Sequence, residues 1–145
     1  MNPLEQALNK ALANTFTFYL KLQNYHWNCE GPDFFQTHKL YEEIYTDVYG
    51  AIDPLAEHIR ACGYYAVGTM AKYLELTDIV EVDLSGKEVS EMSKNLLEAN
   101  DKVILSLYQA YEQADGAKEL GLANYIQDRI AMHNKHSWFL KSQTK

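Results

Sequence analysis

The chain has 145 residues, 47% of them hydrophobic and 23% charged, a balance that supports a buried core and argues against wholesale disorder. One domain is the expectation for this length, residues 1–145 together. With 20 Asp and Glu against 13 Lys and Arg the formal net charge is -7, which opposes a general nucleic-acid binder because that affinity rests on cationic side chains neutralising phosphates. Cys29 and Cys62 form no CxxC or finger-like spacing and are read as reduced, structural thiols. No stretch approaches the ~20 apolar residues of a membrane helix. The first twenty residues, interrupted by Glu5, Asn9, Lys10 and Asn14, lack the apolar run of a secretory signal. A cytoplasmic protein without a membrane partner is therefore expected.

Along the chain, Leu4, Ala7, Leu8, Ala11, Leu12, Thr15, Tyr19 and Leu22 step by three and four, which predicts a helix from Leu4 to about Cys29. His26 continues that stripe. Glu30-Gly31-Pro32-Asp33 breaks it, with Asp33 as the expected N-cap of the next helix. Leu40, Tyr41, Ile44, Tyr45, Val48, Ile52, Leu55, Ala56 and Ile59 then mark a second long helix ending near Gly63, with Asp53 and Glu57 bordering its stripe. Pro54 lies inside this pattern. Either the helix runs through it with a kink, as the unbroken stripe favours, or a helix starts there with Asp53 as N-cap.

Between Gly63 and Gly86 the periodicity loosens, and only Thr69 to about Leu76 reads as a short helix, capped by Thr69. Ser85-Gly86-Lys87-Glu88 has capping-box spacing, and Val89, Met92, Leu96, Val103, Leu107 and Ala114 carry a third long helix to a break at Asp115-Gly116. Leu122, Ile126, Ile130 and His133 mark a fourth. The expected fold class is all-α, a four-helix bundle of the ferritin-like kind with a long crossover carrying a short helix between helices 2 and 3.

His26, His38, Asp53 and Glu57 supply two imidazoles and two carboxylates, a mixed N/O set that suits iron or zinc. Asp53 and Glu57 are i,i+4 and share one helical face. His38 lies fifteen positions before Asp53, so on one continuous helix they stand ~22 Å apart and cannot hold one ion within a chain. Either the histidines and carboxylates are unrelated, or an antiparallel second copy brings His38 of one subunit to Asp53 and Glu57 of the other. An isologous interface would make that pairing reciprocal.

The run Gln23-Asn24-Tyr25-His26-Trp27-Asn28, then Gly31-Pro32-Asp33-Phe34, His38, and Asp53-x-x-Ala56-Glu57-x-Ile59-Arg60-x-x-Gly63 resembles the Dps mini-ferritins. Gly68-Thr69 with Tyr73-Leu74-Glu75-Leu76 looks like that family's short crossover helix, and His133 with Trp138-Phe139-Leu140 like its C-terminal signature. The resemblance implies a homo-oligomer, a hollow dodecamer. In it His26 and His38 of one subunit would face Asp53 and Glu57 of the two-fold mate as the ferroxidase site. Glu42, one turn after His38, matches a position that is often acidic and would help hold a second iron or orient His38. Trp27 is read as an interface residue, with electron donation as the alternative suggested by its neighbour His26.

The implied activity is oxidation of Fe(II) by hydrogen peroxide or dioxygen, storage of Fe(III) as mineral and protection from oxidative damage, with zinc as a substitute ion. Two rivals stand beside it: a DNA-compacting protein, and a metal-binding shell that does not oxidise. The basic N-terminal extension of DNA-binding members has no counterpart here, and DNA binding is not expected. Lys135, Lys141 and Lys145 read as a solvated tail. His58 and His136 are taken as surface residues and His133 as a packing residue. Asp115 and Glu119 have only a weak claim to a pore.

Overall fold

The structure, a computed structural model, describes all 145 residues as five helices joined by loops. These are α1 (Pro3–Asn28), α2 (Phe34–Ala61), α3 (Met70–Leu76), α4 (Val89–Gly116) and α5 (Leu120–Gln143). The all-α expectation holds, with α3 in the crossover between the second and third long helices.

Local chemistry sets the helix ends. Asn2 caps α1 by accepting from the Glu5 amide at 2.8 Å, with Pro3 at the first position where its missing N–H costs nothing. Gly31, at φ 114, turns the chain back toward the bundle. α2 runs without interruption through Pro54, so the continuous helix is the correct alternative. Thr69 caps α3 as expected, its hydroxyl accepting from the Lys72 amide at 3.2 Å.

Two expected caps are not made. Asp33 occupies the position before α2, but its φ of -101 and ψ of 24 lie outside the extended conformation that aims a capping oxygen, and its side chain bonds no helix amide. Ser85 is not the cap of α4 either. Its hydroxyl donates to the Asp83 carboxylate at 2.6 Å, and the helix begins four residues later at Val89.

The buried stripes meet as the periodicity requires. Leu8, Leu12, Phe18 and Leu22 of α1 pack with Tyr41, Val48 and Leu55 of α2, Leu96, Val103 and Leu107 of α4, and Ile126 and Leu140 of α5. α1 contacts both α2 and α4 extensively and α4 contacts α5, whereas α2 and α5 touch only sparsely. The crossover is strapped to α1 by polar side chains. Asn14 accepts from the Asp78 amide at 2.8 Å and from the Thr77 hydroxyl at 2.7 Å, the Lys21 ammonium donates to the Val80 carbonyl at 2.9 Å and to Asn95, and the Tyr25 hydroxyl reaches the Val82 carbonyl at 2.7 Å. No helix is long and apolar enough to cross a membrane.

Candidate metal centre

His26 sits in the last turn of α1 and His38 near the start of α2, and the short turn between the helices folds one imidazole onto the other. The rings stack with centroids 3.7 Å apart and planes 14° from parallel. His26 Nδ1 lies 2.7 Å from the His38 carbonyl, and His38 Nδ1 lies 2.7 Å from the His26 carbonyl. A carbonyl oxygen can only accept, so each Nδ1 carries the hydrogen, and the lone pair of the neutral form lies on Nε2. This is the tautomer in which an imidazole ligates a metal through Nε2, with the orienting bond already made.

Neighbouring groups hold the pair. Phe34 stacks on His38 at 4.9 Å, and Tyr45 meets His26 edge-on at 5.2 Å. His26 is buried and His38 half-buried. Glu42 Oε1 lies 4.0 Å from His26 Nε2, and Glu42 Oε2 lies 3.6 Å from the Lys39 ammonium. One ligating atom from each of His26, His38 and Glu42 falls within 4.8 Å of the others, a gap that an ion with ordinary coordination distances can fill with small side-chain movements. Two imidazoles and one carboxylate of open geometry accept iron or zinc.

Asp53 and Glu57 are elsewhere. Both are exposed, on the same helix as His38 but more than three turns along it, and neither joins the histidine cluster. Because α2 is continuous, the ~22 Å rise between His38 and Asp53 applies. Trp27 is 60% exposed beside the pair, with Phe34 and Phe35 also exposed nearby in sequence. Both cysteines are free; Cys29 is buried and Cys62 half-buried, and burial pushes both thiols up, away from reactivity.

Two histidines differ from the sequence expectation. His136 is not a surface residue: it is buried, its Nε2 donating to Asp47 at 2.7 Å. His58 is half-buried, its ring tilted against Tyr125 at 4.7 Å. His133 packs in the core as expected, but as part of a polar network with Asp47, Arg129 and Asn100 that sequence reasoning missed. The available signal was Arg129, His133 and His136, spaced i, i+4, i+7 along the apolar stripe of α5.

Comparison with known proteins agrees with the fold. The family described as "Ferritin-like domain" matches residues 5–145. The "DNA protection during starvation protein" of Brevibacillus brevis is 35% identical over 135 residues, covering 93% of this chain and 90% of its own. The crystal structure of a Dps protein from Bacillus brevis superposes with a TM-score of 0.91 at 32% identity, covering 100% of this chain and 99% of that one. A Dps protein from Vibrio cholerae, described as a member of a broad superfamily of ferritin-like diiron-carboxylate proteins, gives a TM-score of 0.92 at 31% identity over 98% of this chain and 89% of that one. With a matching domain over nearly its whole length, and relatives of this similarity spanning it, the chain belongs to the Dps mini-ferritin family of the ferritin-like superfamily.

Proposed function

We propose that this protein is an iron-storing ferroxidase whose site is built between two copies of the chain, His26, His38 and Glu42 from one subunit and Asp53 and Glu57 from the other. The observation that carries this reading is the reciprocally bonded histidine pair, held in the ligating tautomer while the remaining carboxylates lie farther along α2 than one ion can span. Antiparallel pairing of α2 with its two-fold mate brings the two halves together twice per dimer. Twelve subunits closing into a hollow shell is the assembly that family membership supports.

Fe(II) is the substrate. Each Fe(II) gives up one electron, and two of them reduce one hydrogen peroxide with two protons to two waters, leaving two Fe(III); dioxygen is the alternative oxidant. The protein's part is ligation and orientation. Neutral imidazoles and hard carboxylates hold both iron oxidation states, and a set short of full coordination leaves positions for the oxidant. Glu42, 39% exposed, is free to swing between His26 and a second iron. Zinc fits the same donors and would act as a competitor that cannot be oxidised. Removing ferrous iron and peroxide together suppresses hydroxyl-radical formation, which is the protective role we assign.

Stopped-flow absorbance after anaerobic Fe(II) loading and peroxide addition tests the reading. The expected result is rapid ferric absorbance in the native protein and none with Asp53 and Glu57 replaced by Ala. Binding without a ferric product would instead assign a non-oxidising metal shell.

A further inference from the structure

We propose that Asp47 of α2 and Arg129, His133 and His136 of α5 form a clasp that holds α2 against α5 and lets go on acidification. The placement is unusual. α2 and α5 touch far more sparsely than α1 with α2, α1 with α4 or α4 with α5, and this polar group bridges the gap. Arg129 donates to both Asp47 oxygens, at 3.0 and 2.9 Å, and His136 donates from Nε2 to Oδ2 at 2.7 Å. A cavity of about 190 Å³ lined by Glu43, Asp47, Lys135 and His136 lies at the same seam and gives water a path to it.

The hydrogen bonds fix the protonation state of the inner end. An Arg129 N–H 3.0 Å from His133 Nε2 can only donate, so Nε2 bears a lone pair and Nδ1 bears the hydrogen. Nδ1 donates to Asn100 Oδ1 at 2.8 Å, and the Asn100 amide in turn donates to the His133 carbonyl and the Ser137 hydroxyl. Every member is satisfied only while His133 is neutral. A proton on Nε2 would set two donors and two cations face to face inside the core.

The surroundings of His133 offer little relief. α1 presents Phe18 and α4 presents Asn100, both uncharged; α5 contributes Arg129 and His136; only Asp47 of α2 is anionic, and it is already engaged twice. Tyr125 of α5 lies near Asp47 and Arg129. Burial, then the Arg129 and His136 charges, hold the His133 imidazolium well below its usual value, with Asp47 opposing. Burial would raise the Asp47 carboxyl, but hydrogen bonds and charge from His136 and Arg129 overturn that and hold it well below the usual carboxylate range. Both depressed groups act in one direction. Once the seam opens, His133 recovers an ordinary affinity for protons, so closure is fully favoured above the usual histidine value of 6.5 and weakens as pH falls below it. Asp47 adds to the loss only below the usual carboxylate value of 3.8.

The consequence falls on α2, which carries His38, Glu42, Asp53 and Glu57; that consequence rests on the proposed iron site, whereas the clasp does not. Hydrogen–deuterium exchange on the intact, metal-free assembly, corrected for the intrinsic pH dependence of exchange, reads opening directly. Amides of residues 43–52 and 126–139 should show an opening equilibrium that rises up to about tenfold per pH unit below ~6.5, the slope for one proton taken up on opening. Amides at the α1–α4 contact should stay flat. His133→Gln can still accept from Arg129 and donate to Asn100 but does not titrate, and it should abolish the slope. A wild-type seam that opens no faster with acid than the α1–α4 contact overturns the clasp, and so does a slope that survives in His133→Gln. If that variant does not assemble, the wild-type comparison of the two contacts decides alone. No step involves iron oxidation, so failure of the ferroxidase reading would be seen separately.

Discussion

His26 and His38 each donate from Nδ1 to the other's backbone carbonyl, both at 2.7 Å, so each ring helps set the backbone that orients its partner. The two ligands should therefore behave as a unit. Replacing either with Ala removes one donor and one of the two clips joining the end of α1 to the start of α2. Each single variant should lose at least the 10–100-fold in metal affinity that an orienting partner is worth. The double variant should be little worse than either single one, because coupled residues are not additive. Anaerobic cobalt(II) titration of the three variants measures this, and fully additive losses would mean that the rings act independently.

Mixing inactive proteins tests the intersubunit site. One variant carries His26→Gly and His38→Gly, the other Asp53→Ala and Glu57→Ala, and each should form shells without rapid Fe(II) oxidation. In a hybrid dimer one of the two sites takes its histidines from the second variant and its carboxylates from the first, and so is intact. Co-assembly after dissociation should return part of the native rate. Mixed shells verified by mass spectrometry that stay inactive would place the whole site within one chain.

The helices were legible because their stripes are long and regular. Leu4 to Leu22 and Leu40 to Ile59 repeat at the helical period with few interruptions, and even Pro54 could be placed inside a helix from the stripe around it. Of the expected caps only Thr69 is made, since Asp33 and Ser85 are the right residue types but the backbone before α2 and α4 aims them elsewhere. The reciprocal Nδ1 bonding of His26 and His38 also escaped the sequence, because it depends on two carbonyls brought together by the turn at Gly31. His136 was misjudged for a related reason. Its burial is made tolerable by Asp47, eighty-nine positions away, and a long-range partner leaves no local periodicity.

Asn14 tests the strap over the crossover. It is fully buried on α1, and its carbonyl oxygen accepts from both the Thr77 hydroxyl and the Asp78 amide. Asn14→Ala leaves those donors and the buried site without their partner, at a cost of about 1–3 kcal/mol. Urea denaturation at equal protein concentration should show a lower midpoint with an unchanged slope. A midpoint indistinguishable from native would show that Lys21 and Tyr25 hold the crossover without it.

DNA is the last test, because relatives named for DNA protection and the charge of this chain point in opposite directions. Non-specific binding to duplex DNA requires several cationic contacts per site, and the formal charge here is -7. Lys10 of α1 already pairs with Asp78 at 3.2 Å. The candidate cluster is Lys135, Lys141 and Lys145, all exposed near the end of α5. An oligomeric shell repeats that trio, and avidity multiplies weak contacts, yet it also repeats the acidic surface. Negligible gel-shift of duplex DNA is therefore expected near physiological salt and neutral pH. A salt-sensitive shift at submicromolar protein, lost when those three lysines become Gln, would reverse this and assign DNA binding to the C-terminus. In that case log affinity against log salt should slope by about -0.9 for each phosphate neutralised, which counts the lysines engaged per shell.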